Sequence, residues 1–151
     1  MPVLDREEYI EQAYFFHAFR ERLIDGLPAQ EILARVGEEL LSTTRLPLAV
    51  SFLTGEIKGA GLMGPGMERL SHYFTPFQTH VVNQAEGDVH RFSMDQALLI
   101  LEREAKFRAE LEDDRRTLVE TRSRLAASQA TEQRVRAEIP TLEARIAALS
   151  R

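Results

Sequence analysis

The sequence predicts an all-α protein: a compact bundle of about five short helices followed by one long C-terminal helix with a partial coiled coil. That expectation rests on three features. Apolar residues recur at three- and four-residue spacing through the first ninety positions, with Pro, Gly and Thr/Ser punctuating them where helices start and stop. No stretch alternates β-branched with polar residues, so no strand is expected. From Ser93 onward the only break signal is Pro140, and a helix that long cannot be buried inside a domain built from the residues before it.

The first helix is expected to open at Asp5, with Glu8 as a capping-box partner and Leu4 stapled onto Tyr9. It should end at Gly26, a residue suited to positive φ past a helix end. Pro28 fits the first position of a second helix, whose apolar residues are Ile32, Leu33, Val36 and Leu40. Pro47 opens a third, carrying Leu48, Phe52, Leu53 and Ile57. A short fourth starts at Pro65 or Gly66 and runs through Met67 and Leu70. The fifth begins at Thr75, where Gln78 completes a capping box, and stops at Gly87.

The first helix is aromatic on more than one side. Tyr9, Ala13, Phe16 and Leu23 share a face, while Tyr14, Phe15 and Phe19 spread round a second. Either the helix is central and contacts neighbours on two sides, or Tyr14, Phe15 and Phe19, with the segment 71–78, form an exposed docking surface.

Ser93 marks the start of the long helix, with Phe92 before it and Gln96 at the third helical position. Leu98, Leu99, Ile100 and Leu101 are apolar nearly all round and should be buried against the head. Beyond Phe107 the apolar spacing narrows to sevens. With Leu111 as a, the a positions are Leu111, Leu118, Leu125, Glu132, Ile139 and Ile146, and the d positions are Asp114, Thr121, Ser128, Val135, Leu142 and Leu149. From Val135 onward every a and d is apolar, as a coiled coil requires. The middle carries only half a seam, together with Glu104/Arg108, Glu112/Arg116, Glu120/Arg124 and Glu132/Arg136 at i,i+4. Each such pair adds about 0.2–0.5 kcal/mol to an isolated helix. The organisation expected is therefore a head over residues 1–107 and a tail over 108–151, kinked or broken at Pro140.

Taken along the whole tail, charge does not clearly favour either orientation of a dimer. A parallel pair sets Glu110 on Arg115 but Glu138 on Glu143, and an antiparallel pair brings the arginine-rich e positions Arg115, Arg122 and Arg136 near one another.

Charge and composition also limit function. Residues 1–101 hold eight Lys/Arg against fourteen Asp/Glu, a balance of −6, and the remainder hold eleven against ten, +1. Neither half offers the clustered positive face that phosphate neutralisation needs, so no nucleic acid partner is expected. With no cysteine, disulfides and thiolate chemistry are excluded. The acidic N-terminus reads unlike a secretory signal, and no apolar run approaches the roughly 20 residues that span a bilayer. A cytoplasmic protein with no membrane span is expected.

Candidate chemistry is sparse. Gly59, Gly61 and Gly64 match GxGxxG in form, but the motif binds a dinucleotide only between a strand and a helix, and here it follows a helix. Glu68 and His72 stand at i,i+4, and His80 follows, which makes these three a weak metal candidate; Glu86 and His90 repeat the spacing across Gly87. No cofactor site and no catalytic set is expected. The function read from the sequence is that of a non-enzymatic scaffold or adaptor. It would join itself, or another helical protein, through Val135, Ile139, Leu142, Ile146 and Leu149. The alternative is a helical-bundle protein that binds a small molecule or a metal, such as a degenerate enzyme.

Overall fold

In the computed structural model, residues 3–89 and 91–151 are described. Among the described residues six helices follow in chain order: α1 (Arg6–Ile24), α2 (Ala29–Glu39), α3 (Leu46–Ala60), α4 (Gly64–Arg69), α5 (Pro76–Glu86) and α6 (Met94–Leu149). The described residues contain no strand, and the protein is all-α. The chain divides into two compact units, Met1–Glu112 and Asp113–Arg151.

The first unit is built around α1. Phe15, Phe16 and Phe19 are buried and meet ring to ring, Phe15 lying 5.2 Å from Phe16 and 5.9 Å from Phe19 between centroids. Tyr9, Gln12 and Ala13 extend the buried surface round the helix, so α1 does contact neighbours on two sides. Ile32, Leu33 and Val36 of α2 close one flank, and Leu98, Leu101 and Ala105 at the start of α6 are buried as well. Burying side chains of this size stabilises each by about 1.5–3 kcal/mol relative to exposure.

Local chemistry explains several of the boundaries. Gly26 takes φ 87° after α1, and its N–H donates to the Leu23 carbonyl, so glycine serves there as the expected stop. The Thr75 hydroxyl accepts from the Gln78 amide while the Gln78 side chain accepts from the Thr75 amide, a complete capping box at α5. At Ser93 half of the expected box forms: its N–H donates to Gln96 Oε1 at 3.3 Å, while its hydroxyl turns to Asp95.

Several expectations need correction. Glu8 does not cap α1; Asp5 has no side-chain capping bond, and the Glu8 carboxylate instead serves another segment. Pro28 stands one position earlier than expected, as the N-cap of α2. The buried stripe of α3 is Leu46, Ala49, Val50 and Leu53, spaced i, i+3, i+4, i+7, which turns Leu48 and Phe52 to solvent. Ile100 is likewise exposed, because the buried stripe of α6 passes through Ala97, Leu98 and Leu101.

The GxGxxG stretch is a helix end followed by a helix start. Gly59 lies in the last turn of α3, Gly61 takes φ 74° as its cap, and Gly64 opens α4. Close packing accounts for Gly64 and for the nearby Gly66. A Cβ on Gly64 would lie 1.9 Å from Asn83 Oδ1, and one on Gly66 would lie 2.9 Å from Leu53 Cδ2.

The second unit is helix almost to its end. α6 runs across Pro140 without interruption, which removes the expectation of a break there. Every residue from Asp113 to Arg151 is exposed. The ion pair Glu132–Arg136 forms at 2.7 Å, and the Thr121 and Thr131 hydroxyls donate to carbonyls one turn back.

Candidate interaction surfaces

The tail seam is the first candidate. Val135, Ile139, Leu142, Ile146 and Leu149 occupy successive a and d positions of one helix, and all five are exposed, Leu149 to 87%. Leu111, Leu118 and Leu125 continue the row on the a side and are also exposed. An aqueous helix gains nothing from such a stripe until something covers it, since the free energy comes from area removed from water.

The aromatic docking surface expected on α1 is not present as such. Phe15 and Phe19 are among the most deeply buried side chains in the head and cannot meet a partner. Tyr14 alone of the three is exposed, at 44%, and its hydroxyl is committed to Glu39 Oε2 at 2.7 Å. Arg22 holds the other oxygen of Glu39 at 2.6 Å. The Tyr14 hydrogen bond and Arg22 together lower the Glu39 pKa, and the same hydrogen bond raises that of Tyr14. The segment 71–78 is also divided: Tyr73, Phe74, Thr75 and Gln78 are buried, whereas His72 and Phe77 face solvent.

The weak metal set does not assemble. α4 ends at Arg69, with Leu70 already out of helical geometry, so Glu68 and His72 are not one turn apart on a helix. Glu68 and His80 line one shallow pocket with Phe74 and Thr79, and Glu68 accepts a hydrogen bond from Asn83 at 2.8 Å. His72 lies in a different pocket, beside Arg45 and Leu48. No group of three metal-ligating side chains occurs among the described residues. The Glu86/His90 pair falls outside them at His90, while Glu86 itself is occupied elsewhere.

Three glutamates have roles that the sequence did not announce. Glu86 receives the backbone N–H groups of Met63 and Gly64 at 2.7 and 2.8 Å, placing a carboxylate on the N-terminus of α4, where unpaired amides and the helix dipole favour an anion. Glu8, buried, receives the Arg45 N–H at 2.7 Å at the start of α3 and the Tyr73 hydroxyl at 2.9 Å. Burial raises the Tyr73 pKa far above the ordinary phenol value, and the Glu8 carboxylate adds to the shift. Glu11 receives the Leu41 N–H at 3.1 Å. These are structural clamps between segments, each satisfying backbone donors that helix starts and turns leave open.

A second cluster joins α1 to α6. Glu102 is buried, and its Oε1 lies 3.1 Å from His17 Nδ1 and 2.6 Å from Lys106 Nζ, while His17 Nε2 lies 3.1 Å from Glu21. Burial pushes the Glu102 carboxyl upward, but the hydrogen bonds and charges of Lys106 and His17 outweigh it and leave its pKa lowered. Beside this cluster a mostly apolar groove of about 430 Å³ runs between Ile10, Ala13 and Tyr14 on one side and Ala109 and Glu110 on the other. Glu102 sits four residues past Leu98 beside the buried stripe Leu98, Leu101, Ala105 and Ala109, a place where a carboxylate needs partners, but which partners it finds is not written in the helix itself.

No helix among the described residues is long and apolar enough to cross a membrane. Comparison of the chain with protein-family models, with curated proteins and with solved structures yields no match.

Proposed function

We propose that the protein is a non-enzymatic cytoplasmic interaction protein, a scaffold or adaptor, that assembles through the last turns of α6. The observation that carries this reading is the unbroken row Val135, Ile139, Leu142, Ile146 and Leu149, exposed on a helix whose every residue from Asp113 is exposed. Contiguous exposed apolar surface of this kind marks interaction sites, and its heptad spacing fits another helix better than a flat surface. The head supports the reading in a second way. Its buried rings and cross-segment glutamates give it a core of its own, so it does not need the tail to fold.

The test is a comparison of the full chain with a chain ending at Glu112, by sedimentation equilibrium. The shortened chain is expected to keep its cooperative melt and to sediment as a monomer, while the full chain associates. If both associate alike, the tail is not the assembly element.

A second reading is favoured by the groove beside Glu102, whose apolar walls and charged end suit a small amphiphilic molecule. A head that binds such a ligand would show a concentration-dependent rise in melting temperature that His17→Ala with Lys106→Ala abolishes.

A further inference from the structure

We propose that the tail seam closes on a second copy of the same chain running antiparallel, in the register that sets Ile139 against the partner's Leu142. This pairing rests on the tail-assembly reading above and goes beyond it in occupant, direction and register. Its warrant is charge complementarity at the e and g positions that border the exposed seam.

In an antiparallel pair of helices, a packs on d, e meets e and g meets g. Setting Ile139 on the partner's Leu142 also sets Val135 on the partner's Ile146, and symmetry repeats both layers, so four consecutive layers are apolar. On one side of those layers Arg136 then meets the partner's Glu143, and on the other Glu138 meets the partner's Arg145. With their symmetry mates these are four attractive contacts and no repulsive one. The two-fold axis falls between Pro140 and Thr141, which occupy positions b and c, so the proline ring stays clear of the seam.

The competing arrangements are penalised by the same four charges. One heptad in one direction, Arg136 meets the partner's Arg136 and Glu138 the partner's Glu138. One heptad in the other direction, Glu143 meets the partner's Glu143 and Arg145 the partner's Arg145. An in-register parallel pair sets Glu138 against the partner's Glu143 twice. Arg136 already holds Glu132 at 2.7 Å within its own helix. The partner's Glu143 approaches from the seam side, and a guanidinium has donors enough for both carboxylates.

Glu138→Arg separates the possibilities by sign. In the antiparallel register it sets an arginine against the partner's Arg145 and is expected to weaken self-association of the full chain by about tenfold. Adding Arg145→Glu should restore it. In a parallel pair the same change sets an arginine against the partner's Glu143 and strengthens association. Because the chain has no cysteine, single-cysteine variants report the register directly. Val135→Cys mixed with Ile146→Cys is expected to give a mixed disulfide under mild oxidation, while Val135→Cys alone gives none. In the proposed register the two copies of residue 135 are separated by about eleven positions, roughly 16 Å along the helix axis and outside disulfide reach. Strengthening by Glu138→Arg, or a disulfide from Val135→Cys alone, overturns the antiparallel register and leaves tail assembly standing. A full chain that stays monomeric overturns self-pairing. A chain ending at Glu112 that associates as strongly as the full chain overturns the tail-assembly reading itself.

Discussion

A helix in the head is held by its neighbours, whereas the helix of residues 113–151 is held by itself. Across α1 the three rings Phe15, Phe16 and Phe19 are buried, and carboxylates from α1 and α5 reach into the starts of other helices. In the tail no residue is buried; what the chain supplies there is helix propensity and side-chain pairs such as Glu132–Arg136. Helical periodicity in a sequence therefore has two meanings. In the head an apolar stripe is already satisfied inside the fold. In the tail a stripe of the same residue types stands exposed, and its period of seven, two turns at 3.5 in place of 3.6, is the mark that separates the two.

Removing matched apolar groups from each region tests this contrast most strongly. Phe15→Ala should cost the head about 3–5 kcal/mol and bring its cooperative melt down or abolish it. Leu142→Ala should leave that melt in place in the chain at low concentration, because its side chain is exposed, and should act only on association. A calorimetric scan of both variants checks the pair, and equal losses of head stability would end the distinction.

Pro140→Ala tests the other side. A proline inside a helix lacks one donor and crowds the preceding turn, so its removal should stabilise the tail helix by up to about 3 kcal/mol. The head should not respond, and amide exchange of residues 130–150 against residues 6–24 reads the difference.

Glu8→Gln is a smaller intervention, inside the head. The amide keeps the volume but presents one acceptor where the carboxylate had two, leaving the Arg45 N–H or the Tyr73 O–H without its acceptor. A loss of about 1–3 kcal/mol is expected, read from a urea midpoint with unchanged slope.

Acid should separate the regions most gently. The folded-state pKa of Glu102 is lowered from 4.5, so the ionised group contributes stability that is present above the unfolded value and lost as pH falls through the lower folded one. Glu102→Gln should flatten the dependence of head stability on pH below about 4.5 and leave that of the tail unchanged. Melting curves between about pH 3 and 6 would show it.

Much of the head's outline was legible because its punctuation is chemical. Gly26, and Thr75 with Gln78, mark an end and a start through φ freedom and capping, which are local effects that need no knowledge of neighbours. The misreadings share a physical source. Leu48 and Phe52 fit a helical period, yet which of two overlapping apolar stripes turns inward depends on where α2 and α4 lie. Glu8 fits a capping box, yet a buried carboxylate in the first turn of α1 finds donors on another segment in place of those on its own helix. Phe15 and Phe19 were readable as docking residues only because the number of neighbours round α1 is not written in α1. The exposure of the tail row was readable, since it depends on one helix. The Glu102 cluster was not, since it needs His17 from a distant part of the chain.

The distribution of rings has a practical consequence for optical measurement. All three tyrosines, Tyr9, Tyr14 and Tyr73, precede Asp113, there is no tryptophan, and no aromatic residue lies between Asp113 and Arg151. Near-ultraviolet ellipticity and tyrosine emission therefore report the head alone, while far-ultraviolet ellipticity sums both regions. A heating curve recorded at the two wavelengths thus splits into head and tail without a label, and a dependence on protein concentration in either signal assigns association to that region.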